Sequence, residues 1–382
     1  MNQRFYSLDV FRGATVALMI MVNNPGTWAY IYAPLDHAGW HGCTPTDLVF
    51  PFFLFAVGNA MAFVMPRLEE KNIFWQKIIK RTLLIFLIGL FLNWFPFVKY
   101  NDAGILIAKP FEKLRIFGVL QRIAISYFFA AVLIHWFKLR GAFVAGCFLL
   151  LFYWFLCVLM NPTDPYSIHG WFGTKVDLWL LGDAHLYHGE GMAFDPEGLM
   201  NSFGSIVQVI FGYLVGQYIV SKGKTAEMLN NLFVAGAVLI FAGFAWDMVF
   251  PINKKIWTSS YTVYTTGLAL IILSVLIHLI EFKQIKGAWS RFFDVFGKNA
   301  LFIFALSNLV VKISALLHFR IGTNENGSPK FSHPLAWFYE HACKPIFPSD
   351  PRIGSLLYAL CFIGMMWFFA WLLDKKKIYI KV

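Results

Sequence analysis

The chain has 382 residues, of which 58% are hydrophobic and 19% aromatic, only 14% are charged, and the mean hydropathy is +0.61. A soluble globular protein is nearer half apolar and a quarter charged, so no water-excluding core could hold this surplus, and the chain belongs in a bilayer. The formal charge of +11 would suggest a nucleic-acid partner in a soluble protein; in a membrane chain it reads first as topology, and no nucleic-acid partner is expected.

A spanning helix needs about 20 mostly apolar residues. About ten such stretches follow one another, at 10–32, 47–66, 78–97, 115–137, 142–160, 204–220, 232–250, 261–281, 299–317 and 354–373. Continuous runs such as Leu83 to Leu92 exclude an outer-membrane barrel, which would alternate in polarity. The expected fold is therefore all-α, a polytopic integral membrane bundle of about ten transmembrane helices. The start MNQRFYSLDVF lacks the pattern of a cleavable signal, so the first span is expected to be retained.

With an even number of spans both termini share a side. If that side is cytoplasmic it receives 19 basic residues, among them Arg4, Arg12, Arg67, Lys71, Lys138, Arg140, Lys222, Lys224, Lys298 and Lys381; the longer opposite loops receive 11. Lys and Arg accumulate in cytoplasmic loops, which places both termini in the cytoplasm. The outer loops then include 33–46 and two long ones, 161–203 and 318–353, of a size that suggests a lid or a binding surface. No repeat or linker divides the chain, and it reads as one domain, 1–382. Cys43 and Cys343 fall in loops, where an oxidising compartment would let them pair.

Polar groups inside a span are costly, and each is a candidate for function. Arg12 and Asn23 lie in the first stretch, Asp47 opens the second, and Gln121 and Arg122 lie within the fourth. Arg122 sits too deep to snorkel fully; an ion pair with Asp47 or Asp9 and a role in binding an anion stand as alternatives. His37 and His41 occupy a turn-rich loop, DHAGWHGCTPTDLVFPFF, where a histidine can exchange a proton with an incoming amine or hydroxyl. The segment DAHLYHGEGMAFDPEG, residues 183–198, gathers His185, His188, Glu190, Asp195 and Glu197. Its spacing fits no metal motif, so no metal is expected; a polar wall for a sugar, with apolar faces from Trp171, Trp179 and Tyr187, fits better. No P-loop, nucleophile elbow or dinucleotide fingerprint is present.

Several segments together resemble the heparan-alpha-glucosaminide N-acetyltransferase family of multi-span transmembrane acetyltransferases, including its bacterial members. They are RFYSLDVFRGATVALMIMVNN (Arg4 to Asn24), HAGWHGCTPTDLVFPFFLFAVG (His37 to Gly58), GVLQRIAISYF (Gly118 to Phe128), GEGMAFDPEGLMNSF (Gly189 to Phe203), FPINKKIWTSSYTVYTTG (Phe250 to Gly267) and FGKNALFIF (Phe296 to Phe304). The resemblance implies transfer of the acetyl group of cytosolic acetyl-CoA, as co-substrate, to a terminal glucosamine-type amino sugar across a bacterial inner membrane. It implies that His37 is the active-site histidine, as general base or transient acetyl carrier, and that Asn23 matches the family's important asparagine. A homodimer is a further expectation from the family. His41 stands where the family commonly has asparagine, and the stretch from Asn24-Pro25-Gly26-Thr27 to His37 also departs from the family pattern.

The expected catalytic set is His37, Asn23 and Asp47, with Asn23 donating to the developing oxyanion. The coenzyme phosphates would need cations near the cytoplasmic face, for which Arg12, Lys298 and, more deeply, Arg122 are expected, with Gln121 and Asn299 beside them. Trp40, His41, His188, Glu190 and Asp195 are the expected acceptor contacts. Two rival readings are a secondary transporter of an amino sugar or organic anion, and an O-acetyltransferase of an envelope glycan.

Overall fold

A computed structural model describes residues 5–67, 71–101, 104–323 and 329–380; Arg4 and Lys381, counted above among the basic residues, lie outside them. Twelve α-helices appear among the described residues: α1 (Tyr6–Asn23), α2 (Val49–Val64), α3 (Lys71–Trp94), α4 (Val119–Met160), α5 (Phe172–Leu181), α6 (Ser202–Lys222), α7 (Ala226–Asp247), α8 (Ser259–Ile277), α9 (Ala288–Lys298), α10 (Ala300–Leu316), α11 (Pro334–Phe338) and α12 (Pro351–Lys375). The only strands described form two antiparallel hairpins, β1 (Val98–Tyr100) with β2 (Leu106–Ala108) and β3 (Phe319–Thr323) with β4 (Pro329–Ser332). Among the described residues six helical segments are long and apolar enough to cross a membrane, or up to seven if the bent pair α9–α10 is one span. The chain is a helical membrane protein.

The expected spans 115–137 and 142–160 correspond to the two halves of α4, which meet at a kink where Lys138 is non-helical (φ 58°, ψ −166°). The sequence KLR reads as a short loop, and one non-helical residue suffices to redirect the axis. At 299 the expected span instead begins on a bend of 82° between α9 and α10. The Asn299 side chain at that bend donates to the Ile378 carbonyl (3.0 Å) and accepts from Ile380 N–H (2.8 Å), tying down the segment after α12.

Packing centres on α6, against which α2 and α4 lie; α7 packs on α8, α1 on α9 and α3 on α4. Gly58 of α2 and Gly212 of α6 permit one of these close approaches, and Gly13 of α1 another on α9, since a Cβ on any of them would collide with a backbone carbonyl of the facing helix. Small residues at such crossings replace the hydrophobic drive that lipid does not provide. Neither long loop is structureless. Residues 161–203 carry α5 and bury Trp171, Phe172 and Phe194 against Tyr153 and Phe250; residues 318–353 carry the β3–β4 hairpin and α11. Cys43 and Cys343 are free, and so are the other three cysteines.

Candidate active site

The loop after α1 is turned back on the start of α2 by one carboxylate. Thr44-Pro45-Thr46-Asp47 forms a capping box, a Thr three residues before an acid at a helix start. Asp47 Oδ2 accepts from Thr44 N–H (3.0 Å), Thr44 Oγ1 (3.1 Å) and Ala38 N–H (3.0 Å), while Asp47 Oδ1 lies 2.7 Å from His37 Nδ1. Tyr261 of α8 donates its hydroxyl to the Asp47 backbone carbonyl (2.5 Å). The Asp47 side chain is 2% exposed and that of His37 is 36% exposed, so the carboxylate is a buried anchor and the imidazole faces outward. A carboxylate can only accept here, so the short contact puts the imidazole proton on Nδ1 and makes Nε2 the accepting nitrogen of the ring.

A second segment completes the cluster. Residues 251–258 form a tight turn in which Asn253 Oδ1 accepts from Ile256 N–H (3.0 Å) and Thr258 Oγ1 accepts from Asn253 N–H (3.0 Å); Trp257 adopts a positive φ of 49°. The turn delivers Lys254 to the histidine, with Nζ 3.3 Å from Asp47 Oδ1 and 2.9 Å and 3.4 Å from His37 Nδ1 and Nε2. Burial pushes the Lys254 ammonium below the ordinary lysine value, and Asp47 opposes that shift. Lys255 pairs with Glu190 (2.6 Å) and lies over the Trp40 ring.

These groups line a cavity of about 260 Å³, bounded by His37, Trp40, Asp47, Arg115, Val119, Tyr187, Glu190, Glu197, Lys254, Lys255 and Trp257. Four loops meet there: the one after α1, the one before α4, the one before α6 and the one before α8. Trp40 is held by its indole N–H on the Tyr166 carbonyl (2.8 Å) and by its ring against Phe194. Arg115 makes a fork to Asp195 (3.0 and 2.6 Å) and a third bond to Glu197 (2.5 Å). Burial works against its charge, but Glu197 and Asp195 outweigh burial and hold the guanidinium above its ordinary value.

Of the expected residues, His37, Asp47, Trp40 and Glu190 come together in this cavity. Asn23 does not line it; it ends α1 with an exposed side chain. His41 is exposed, 3.4 Å from Asn253 Nδ2, and His188 is exposed beside Asp183. Asp195 corrects the expectation of a sugar-facing acid: it is fully buried, because Arg115, eighty residues away, claims both its oxygens. Arg122 corrects two expectations, of an open phosphate partner and of a pair with Asp47 or Asp9. It is fully buried, donating to the Gly198 carbonyl and Asn201 Oδ1, with its guanidinium over the Trp257 ring. Gln121 is buried against Gly89 of α3. Arg12, Lys298 and Asn299 gather elsewhere, where α1 packs on α9. Arg12 bonds the Gly297 carbonyl (2.8 Å) and Asp9 (2.8 Å), and Lys298 bridges Asp294 (2.8 Å) and Asp374 (3.0 Å).

Lys254, Arg115 and Lys255 are the cavity residues that sequence reasoning missed, whereas Glu197 stood in the segment 183–198 already singled out. Lys254 and Lys255 stand in the segment FPINKKIW, where two adjacent cations in a loop that continues into an apolar helix were the available signal. Among the described residues no group of three or more His, Cys, Asp or Glu side chains is placed to hold a metal ion.

Residues 4–181 match the family described as heparan-alpha-glucosaminide N-acetyltransferase, catalytic. The human heparan-alpha-glucosaminide N-acetyltransferase is 29% identical over 360 residues, covering 79% of this chain and 52% of the human protein. The family match covers just under half of this chain. The mouse heparan-alpha-glucosaminide N-acetyltransferase is 28% identical, covering 79% of this chain and 53% of the mouse protein, so the chain spans about half the length of these relatives. The family match contains His37, Asp47 and Arg115, whereas Glu190, Glu197 and Lys254 follow it in sequence and are brought to it by the fold.

Proposed function

We propose that this protein is an acetyl-CoA-dependent membrane acetyltransferase that acylates a glucosamine-type amino sugar at the His37 cavity. The observation that carries the reading is the cluster of His37, Asp47 and Lys254 opening on a polar cavity in a chain similar to this family. Asp47 holds the imidazole through Nδ1, and Nε2 takes the proton from the acceptor amine as its nitrogen attacks the thioester carbonyl. Lys254, rather than Asn23, is the nearby donor for the oxyanion that develops. Collapse breaks the C–S bond, and the proton held by His37 goes to the departing thiolate. In the alternative sequence Nε2 itself attacks, and acetyl-imidazole then passes the group to the sugar. Glu190, Glu197 and the Trp40 face suit an amino sugar, with carboxylates for its polar groups and an aromatic plane for its apolar face.

Ten helical segments support a ten-span arrangement: α1, α2, α3, the two halves of α4, α6, α7, α8, the α9–α10 pair and α12. With both termini cytoplasmic, the four loops around the cavity all fall on the outer side, so the donor would reach across from the cytosol. The placement is that of an integral protein of a bacterial inner membrane, forming one domain and, from the family, a homodimer. The test is single turnover in proteoliposomes with acetyl-labelled acetyl-CoA and glucosamine. Wild type should yield N-acetylglucosamine and the His37→Ala variant none. Label held on protein without acceptor, and lost in that variant, would select the acetyl-carrier route. Glucosamine uptake without acetyl-CoA would select the transporter reading, and label on a hydroxyl the O-acetyltransferase.

A further inference from the structure

A second large cavity lies away from the catalytic one, in the wall of the bundle. Its volume is about 410 Å³, and its lining is almost wholly apolar, with Phe143 of α4, Phe211 and Leu214 of α6 and Leu239 of α7 at its deep end. At the other end Asn231 donates its side-chain amide to the Tyr218 hydroxyl (2.7 Å), so the groove has one polar mouth. All four helices that build it, α4, α6, α7 and α8, are long and apolar enough to span, so the surrounding solvent is lipid. From Phe211 to Tyr218 the groove follows α6 for about 10 Å, roughly two thirds of one leaflet's hydrocarbon.

The charge around the mouth is basic. Lys138 and Arg140, at the break of α4 and one turn before Phe143, are exposed. Lys222 and Lys224 of the α6–α7 turn are each matched by a carboxylate, Glu227 and Glu281. The cations left to meet a ligand are therefore those on α4.

We propose that this groove binds one acyl chain of an anionic phospholipid, with the headgroup phosphate against Lys138 and Arg140. The apolar length selects the chain, the Tyr218–Asn231 pair meets the ester region, and the two cations select the headgroup. The proposal rests on the helices spanning a bilayer and is independent of acetyl transfer.

Native mass spectrometry of the full chain, equilibrated with phosphatidylglycerol and phosphatidylcholine of identical chains, tests it. Wild type should retain phosphatidylglycerol over phosphatidylcholine by about fivefold or more, since each cation near a lipid surface is worth about 1 kcal/mol. Ala235→Trp, which fills the groove from its rim, should reduce retention of both lipids; the double variant Lys138→Gln, Arg140→Gln should hold both equally. Equal retention of the two lipids by wild type, or undiminished retention in Ala235→Trp, would overturn the proposal. So would a lipid-free dimer that Ala235→Trp dissociates, because the occupant would then be a second copy of the chain.

Discussion

Two groups of charged side chains look alike in sequence and differ in what the fold leaves over. Around Arg12 and Lys298 the charges are spent within and between helices: Arg12 on Asp9 and the Gly297 carbonyl, Lys298 on Asp294 and Asp374. Around His37 each of four acids also has a cationic partner among three bases, through Asp47 with Lys254, Glu190 with Lys255, and Asp195 and Glu197 sharing Arg115. There the pairs stand round a space, and one imidazole nitrogen, Nε2, meets only the long 3.4 Å contact of Lys254. A charge network becomes a reaction site when its pairing leaves a basic atom facing a cavity, and a mere brace when it does not.

The largest expected effect comes from removing that atom. His37→Ala should lower turnover by about 10²–10⁴-fold, the usual range for a positioned acid–base group, with acetyl-CoA binding by isothermal calorimetry little changed. Turnover within a few-fold of wild type would move the chemistry elsewhere. Lys254→Met should follow, with a loss of about 10²–10³-fold if the ammonium faces the oxyanion. Since the folded protein holds Lys254 below its ordinary value, the charged form is lost earlier as pH rises, and the rate should fall on the alkaline side sooner than for an unperturbed lysine. Lys254→Arg should move that limb upward, and an unmoved limb would assign it to another group.

The brace within the site should show in stability more than in rate. Arg115→Gln leaves Asp195 and Glu197 without their shared partner, and breaking such a buried pair costs about 3–5 kcal/mol. Thermal unfolding in nanodiscs should register it, and an unchanged midpoint would mean that water replaces the arginine. Asp177 of α5 offers a smaller effect. It is buried, accepts from Leu199 N–H (3.0 Å), and burial, aided by the Asp195 charge, raises its carboxyl from the ordinary 3.8 to about 7. Because the folded state holds this proton more tightly than the unfolded state, the stabilisation is full below about pH 4 and is lost as pH rises to about 7. Asp177→Asn should flatten that slope in midpoints measured from pH 4 to 8.

The parts of the site that are local in sequence were legible, and the parts assembled from distant segments were not. His37 and Asp47 are ten residues apart, and the Thr44–Asp47 spacing announces a capping box, so their pairing follows from neighbours. Lys254 reaches His37 from 217 positions away and Arg115 reaches Asp195 from 80, and no local pattern encodes which cation meets which acid. The same cause buried Asp195, whose setting of glycines and acids reads as an exposed turn. The helices themselves were legible from apolar runs of bilayer length. The break at Lys138 falls where the spans 115–137 and 142–160 were expected to part; that it takes one residue and not a loop was not legible, because the two have the same composition.

The smallest effect is expected where the charges are already spent, and it bears directly on how the donor binds. If Lys298 only joins α9 to α12 through Asp294 and Asp374, then Lys298→Gln should leave the KM for acetyl-CoA within about twofold, and the main change should be a midpoint lowered by the worth of a partly exposed pair, about 1 kcal/mol or less. A phosphate contact predicts a different split: KM for acetyl-CoA raised about tenfold or more with kcat held, since a charge-assisted bond to a bound phosphate is worth about 1.5–3 kcal/mol. Arg12→Gln supplies the control, because its guanidinium also holds the Gly297 carbonyl and so should cost stability under either reading. A rise in KM confined to Lys298 would mean that the donor's phosphates displace Asp374 from it, converting the brace into part of the site.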